Sequence, residues 1–180
     1  MEFKYFDIAG VVEVLPRVFG DARGAFFESF SAEKMAAAGI VGDWVQDNQS
    51  RSDRGVVRGL HFQAPPFAQA KLVRVAAGRA LDVIVDIRKD SPTYGQHVTV
   101  ELDAKRYNMF YVPVGFAHGF TALEDNTLFL YKCTNYYAPQ AEGGLRWNDP
   151  ALGIDWGVTD ATVSAKDQVL PLLKDFVSPF

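Results

Sequence analysis

Cysteine is nearly absent from this chain of 180 residues: there is one, Cys133. A single cysteine cannot close an internal disulfide, which fits a reducing compartment. Its neighbours, Leu128-Phe-Leu-Tyr-Lys-Cys-Thr134, form a strand-like run, so Cys133 is expected as a small buried residue and not as a reactive thiol. Histidine is scarce too, with three in all, and no His-x-His pair stands on any strand-like segment. Barrel proteins that bind iron, manganese or zinc cluster such ligands, so a metal site is disfavoured and none is assigned. No uncharged apolar run approaches the roughly 18 residues of a membrane span. Met1-Glu-Phe-Lys-Tyr-Phe-Asp7 lacks the apolar stretch of a secretory leader, and a cytoplasmic location is the expectation. There is no Gly-x-Gly-x-x-Gly fingerprint, which removes the usual dinucleotide signature. Repeats, low-complexity stretches and interdomain linkers are also missing, so residues 1–180 are expected to form one domain.

Charge is balanced but tilts acidic, with 18 Lys and Arg against 22 Asp and Glu. A net charge of -4 argues against general nucleic-acid or membrane-surface binding. An anionic ligand would need a local cluster of basic residues. Hydrophobic residues make up 48% and aromatics 13%, enough to build a substantial core.

Alternation dominates what is there. Leu81, Val83, Val85 and Ile87 point one way in a strand, and Asp82, Ile84 and Asp86 the other. Val98, Val100 and Leu102 alternate with His97, Thr99 and Glu101, and residues 107–112 and 127–134 are rich in aromatic and β-branched residues. Turn signals separate them at Ala77-Gly78, Ser91-Pro-Thr-Tyr-Gly95, Pro113-Val-Gly115 and Glu124-Asp-Asn126. Only Ser31 to Gly39, with an N-cap serine and a terminal glycine, and the short Ser164 to Pro171 segment suggest helix. Many short strands with peripheral helices predict an all-β sandwich or jelly-roll barrel, an architecture that holds ligands in its mouth or lumen.

Three segments concentrate chemistry. Arg58, His61 and Gln63 share one strand-like run, and Lys71 opens the next. His118 follows within Gly115-Phe-Ala-His-Gly-Phe120. An arginine, a histidine and a lysine within short reach supply an anion clamp, a general base and a cation for a developing enolate. Strict period-two alternation puts Arg58 and His61 on opposite faces, so a shared pocket requires a bulge, with Gly59 its natural place. Ser164-x-x-Asp167 matches a helix capping box; the functional alternative makes Asp167 a partner for His61, and spacing alone favours the cap. Tyr131 lies on the parity of Phe129 and Cys133, where a tyrosine is either packing or a general acid facing the histidine. Around Gly24, Asp21, Arg23 and Glu28 form a charged hairpin that either faces solvent or lends Arg23 to a phosphate.

In order along the chain stand Phe19-x-Asp-x-Arg-Gly-x-Phe-x-Glu28, Gln46-Asp-Asn-x-Ser50, Val57-Arg-Gly-Leu-His-Phe-Gln63 and Ala70-Lys-Leu-Val-Arg74. They are followed by Asp86-Ile-Arg-x-x-Ser-Pro-Thr-Tyr-Gly95, Gly115-Phe-Ala-His-Gly-Phe120, Tyr131-Lys-Cys-Thr-x-Tyr-Tyr137 and Trp147-Asn-Asp-Pro-x-Leu-Gly-Ile-x-Trp156. This series closely resembles the dTDP-4-dehydrorhamnose 3,5-epimerase family from about Phe19 to Leu170. Val57 and the Trp156-Gly-Val158 run depart from the common pattern, both off the proposed chemistry.

The resemblance implies a cupin-type jelly roll, a homodimer with exchanged N-terminal strands, and no metal or organic cofactor. It implies dTDP-4-dehydro-6-deoxy-D-glucose as substrate, inverted at C3 and C5. By motif match His61 is the base, Tyr131 the acid, Asp167 the partner of His61, and Lys71 the cation facing the C4 oxyanion. Arg23, Glu28, Gln46, Asp47, Asn48, Arg58, His118, Glu142 and Lys166 are the implied contacts to nucleotide, diphosphate or sugar, with Arg23 and Glu28 candidates for the partner subunit's pocket. Sister enzymes that invert one centre share the scaffold. A non-catalytic sugar-binding cupin would be expected to lack His61 or Tyr131, and a metal-dependent cupin would need its ligand cluster.

Overall fold

The alternating segments do form strands. The computed structural model describes residues 1–180, with β1 (Glu2–Tyr5), β2 (Val12–Leu15), β3 (Val18–Asp21), β4 (Gly24–Phe27), β5 (Gln46–Ser52), β6 (Val56–Gln63) and β7 (Lys71–Ala77) in the first half. β8 (Arg79–Asp86), β9 (His97–Asp103), β10 (Met109–Val112), β11 (Phe116–Ala122), β12 (Thr127–Cys133), β13 (Glu142–Gly144) and β14 (Thr162–Val163) complete the set. One sheet runs β1-β2-β10-β7-β12-β5, and the facing sheet runs β13-β6-β11-β8-β9 with β14 added beside β6. Two antiparallel sheets face to face are the cupin-type jelly roll that the resemblance implied. No helix is long and apolar enough to cross a membrane.

Inward parity builds the core between the sheets. Val73, Val75, Phe110 and Phe129 from one sheet meet Ile84, Leu102, Phe116 and Phe120 from the other. The Phe120 and Phe129 rings stack at 3.9 Å and 2°, joining the sheets across the sandwich. Such a pair is worth about 0.5–1.5 kcal/mol beyond its buried area. Val83, Val85 and Ile87 face outward, yet they are buried, because Trp156 and the C-terminal residues Leu173, Phe176 and Phe180 cover them. Met35 of α1 (Ala32–Ala37) and Ile40 cover the outer face of the other sheet over Val12, Val14, Leu72 and Met109. Ser31 caps α1 by accepting from the Lys34 N–H, as its position predicted.

β1, β2, β13 and β14 were not read from the sequence, and neither was the longer β5. β5, Gln-Asp-Asn-Gln-Ser-Arg-Ser, alternates half-buried polar with exposed polar residues, so it carries no apolar signal. β3 and β4 form a separate two-stranded sheet, exposed along its whole length except for Phe27.

Asp86 locks the turn after β8. Its fully buried carboxylate accepts from the Arg88 backbone N–H at 3.0 Å, Arg88 Nε at 2.9 Å, Arg88 Nη2 at 2.7 Å, and the hydroxyls of Ser91 and Thr93 at 2.6 Å each. Burial raises the carboxyl pKa, but these five donors outweigh it and hold it at about 2. Because the folded value lies below the unfolded one, this stabilisation is present above about pH 4 and is lost as pH falls through 2. The stability gap between the wild type and Asp86→Asn is therefore expected to shrink by about 2 kcal/mol between pH 5 and pH 2. Urea unfolding at stepped pH measures it, and a pH-independent gap would refute the assignment.

Candidate active site

His61 reaches the space between the sheets because β6 breaks its alternation. Against β11, His61 pairs with His118 but Arg58 pairs with Phe120, so β6 carries one extra residue there. The expected bulge lies at Gly59 and Leu60, and it brings Arg58 and His61 to the wall of one cavity. Gly59 has φ +131°, and a Cβ there would sit 2.5 Å from the Gly119 Cα, so glycine is required on both counts.

β14 runs parallel to β6 and delivers the chain into α2 (Ala165–Gln168) beside the histidine. Ser164 caps α2 by accepting from the Asp167 N–H at 3.1 Å. The Asp167 carboxylate does not complete the capping box. Its Oδ1 lies 2.6 Å from His61 Nε2, and its Oδ2 accepts from the Gly59 N–H at 3.4 Å. Cap and dyad, alternatives on spacing, are thus both satisfied by the same residue. A carboxylate only accepts, so the proton of the neutral imidazole is on Nε2 and Nδ1 carries the free lone pair.

Tyr131 and Lys71 enter from the opposite sheet, with Lys71 Nζ 5.9 Å from the Tyr131 ring centre. Burial raises the Tyr131 phenol above its usual value and lowers the Lys71 ammonium, the latter opposed by Cys133, Asp82 and Glu142. His61, Lys71 and Tyr131 stand at the waist of a cleft with two lobes, of about 580 Å³ and about 340 Å³. Arg58, His118, Lys166 and Asp167 line the larger lobe, and Gln46, Asn48 and Glu142 the smaller. Glu142 accepts from Lys166 at 2.7 Å and Tyr137 Oη at 3.0 Å. Burial raises the Glu142 carboxyl, but these two bonds outweigh it and hold it below its usual range.

Three of the expected residues are not in this chain's cleft. Arg23 sits on the β3–β4 hairpin, 89% exposed and paired with Asp21. Glu28 pairs with Lys34 at 2.7 Å. Asp47 has the outward parity of β5 and pairs with Lys132 at 2.9 Å. Cys133 is buried as expected, with the Asn48 amide 3.7 Å from its sulfur, at the edge of the smaller lobe.

Sequence reasoning missed Asp82. Its fully buried carboxylate lies 2.9 Å from His118 Nε2, a second His–Asp pair behind the first. Burial lowers the His118 imidazole and raises the Asp82 carboxyl, each opposed by the other. The signal was a carboxylate on the parity of Ile84, facing the core. The structure contains no group of three His, Cys, Asp or Glu side chains placed to hold a metal ion.

A jelly roll with a histidine–aspartate pair on one side of the cleft and a tyrosine and a lysine on the other defines a cupin-class site lined by titratable groups. The sequence pattern of the dTDP-4-dehydrorhamnose 3,5-epimerase family matches residues 5–175. The dTDP-4-dehydrorhamnose 3,5-epimerase of Salmonella typhimurium is 50% identical over 170 residues, covering 92% of each chain. The dTDP-6-deoxy-D-glucose-3,5-epimerase of Legionella pneumophila, solved with dTDP-4-keto-L-rhamnose, superposes with TM-score 0.94 at 43% identity, covering 98% of this chain and 94% of its own. A 3'-monoepimerase from Streptomyces bikiniensis, solved with dTDP-quinovose, gives TM-score 0.89 at 34% identity, covering 94% and 86%. The chain belongs to the dTDP-4-dehydrorhamnose 3,5-epimerase family and is an isomerase.

Proposed function

We propose that this enzyme converts dTDP-4-dehydro-6-deoxy-D-glucose to dTDP-4-dehydro-L-rhamnose by inverting C3 and C5 without a cofactor. The observation that carries the reading is His61, held by Asp167 on one sheet, facing Tyr131 and Lys71 on the other across one cleft. Hydrogens on the carbons flanking a C4 ketone are acidic, because the resulting anion delocalises onto oxygen. His61 Nδ1 removes such a proton from one face, and the electron pair moves to the C4 oxygen. The Lys71 ammonium faces the oxyanion, a contribution of about 3–4 kcal/mol in comparable sites. The Tyr131 phenol, kept protonated by burial, gives its proton to the opposite face and the carbon is inverted. Proton exchange with solvent resets imidazolium and phenolate, and the second carbon follows.

Arg58, His118 and Lys166 supply donors to the diphosphate and sugar, with Gln46, Asn48 and Glu142 at the other lobe. Arg23 and Glu28 serve the partner's pocket in a homodimer with exchanged N-terminal strands. The support for this is the β3–β4 hairpin, which stands clear of the sheets with Phe19 and Phe26 exposed.

Incubating the enzyme with dTDP-4-dehydro-6-deoxy-D-glucose in D₂O tests the reading. Deuterium is expected at both C3 and C5 of an L-lyxo product. The likeness to a 3'-monoepimerase makes single inversion the competing reading. Label at one carbon only would establish that alternative, and label at neither would overturn the acid–base assignment.

A further inference from the structure

Alternate residues of β5 face inward: Gln46, Asn48, Ser50 and Ser52, opposite Cys133, Tyr131, Phe129 and Thr127 of β12. Three of the four have protein partners. Gln46 donates to Asn48 at 3.1 Å and accepts from the Tyr137 N–H at 2.9 Å. Asn48 donates to the Cys133 sulfur, and Ser52 accepts from Arg58 Nε at 3.1 Å. The Ser50 hydroxyl is buried and has no protein partner. Such groups are rare in native proteins and destabilise the fold that carries them. Thr121 shares this condition, but it does not line the cleft. Ser50 does, in the wall of the larger lobe with Arg58, His61, Lys71 and Tyr131.

We propose that Ser50 is a specificity residue whose hydroxyl bonds a ring hydroxyl of the bound sugar. This rests on reading the cleft as a nucleotide-sugar site. Along β5, Ser50 is one inward step from Asn48, which is directly opposite Tyr131, so it stands at the level where the phenol meets the ring. A neutral hydroxyl that both donates and accepts suits a sugar hydroxyl. A diphosphate calls for the charged donors, Arg58 and Lys166, in the same lobe.

Calorimetric binding of dTDP and of dTDP-glucose to Ser50→Ala tests this, since dTDP-glucose has the ring hydroxyls but no ketone to react. Affinity for dTDP-glucose is expected to fall roughly three- to tenfold, with dTDP affinity unchanged. The melting temperature is expected to hold or rise, because no protein contact is lost. Ser50→Thr, which keeps the hydroxyl, is expected to retain more of the dTDP-glucose affinity than Ser50→Ala. Unchanged dTDP-glucose binding, equal weakening of both ligands, or a lowered melting temperature would each overturn the assignment. Failure of the wild type to bind either ligand would instead defeat the nucleotide-sugar reading itself.

Discussion

His61→Asn is expected to lower turnover by about 10²–10⁴-fold while leaving dTDP affinity within about twofold, the range that loss of a general base produces. Asparagine ends at the δ position and does not reach where Nε2 stood, so Asp167 keeps the Gly59 N–H as its donor. What disappears is the Nδ1 lone pair to which the proposed mechanism assigns proton removal. Nucleotide affinity is preserved because Arg58 and Lys166 reach the cleft from elsewhere, β6 beyond the bulge and α2. Coupled assays of product and calorimetry with dTDP separate the two effects. Substantial residual activity would remove His61 from the base role.

Tyr131→Phe is expected to uncouple proton removal from inversion. With His61 intact, carbanion formation continues, and the imidazolium exchanges its proton with solvent, since the His61 side chain is 29% exposed. Returning a deuteron to the same face regenerates the starting configuration, now labelled. Inverted product should fall by about 10²-fold or more, whereas deuterium incorporation into the substrate falls far less. Phenylalanine fits the aromatic neighbourhood, beside Phe129 on the same strand, so the fold should survive. Exchange and inversion declining in step would mean that the phenol is needed for proton removal. Unchanged inversion would place the proton donor elsewhere.

Much of this was legible in the chain before any coordinate. Period-two alternation over 81–87 and 97–102 announced two-faced strands; both faces of the first proved buried because segments distant in sequence cover the outer one, whereas Thr99 and Glu101 of the second stay exposed. The Gly59 bulge followed from the parity conflict between Arg58 and His61, a conflict only an extra residue resolves. Ordered motifs marked His61, Lys71 and Tyr131. β5 stayed hidden because its inward residues are polar, serving a cavity and not a core.

Other features lay beyond reach because they are long-range. Asp167 meets His61 across 106 residues of sequence, and no spacing rule connects a helix cap to a strand that far upstream. Asp82 was visible as an inward carboxylate, but its partner His118 is a neighbour only through the pairing of β8 with β11. Arg23 and Glu28 carried family motifs, yet the detached hairpin keeps them out of this chain's own cleft. The sequence by itself determined the strand pattern, the bulge and the chemical inventory, since these follow from local sterics and side-chain parity. Only the tertiary structure decided which carboxylate serves which histidine and which hydroxyl is left unpaired, because those depend on how the two sheets close on one another.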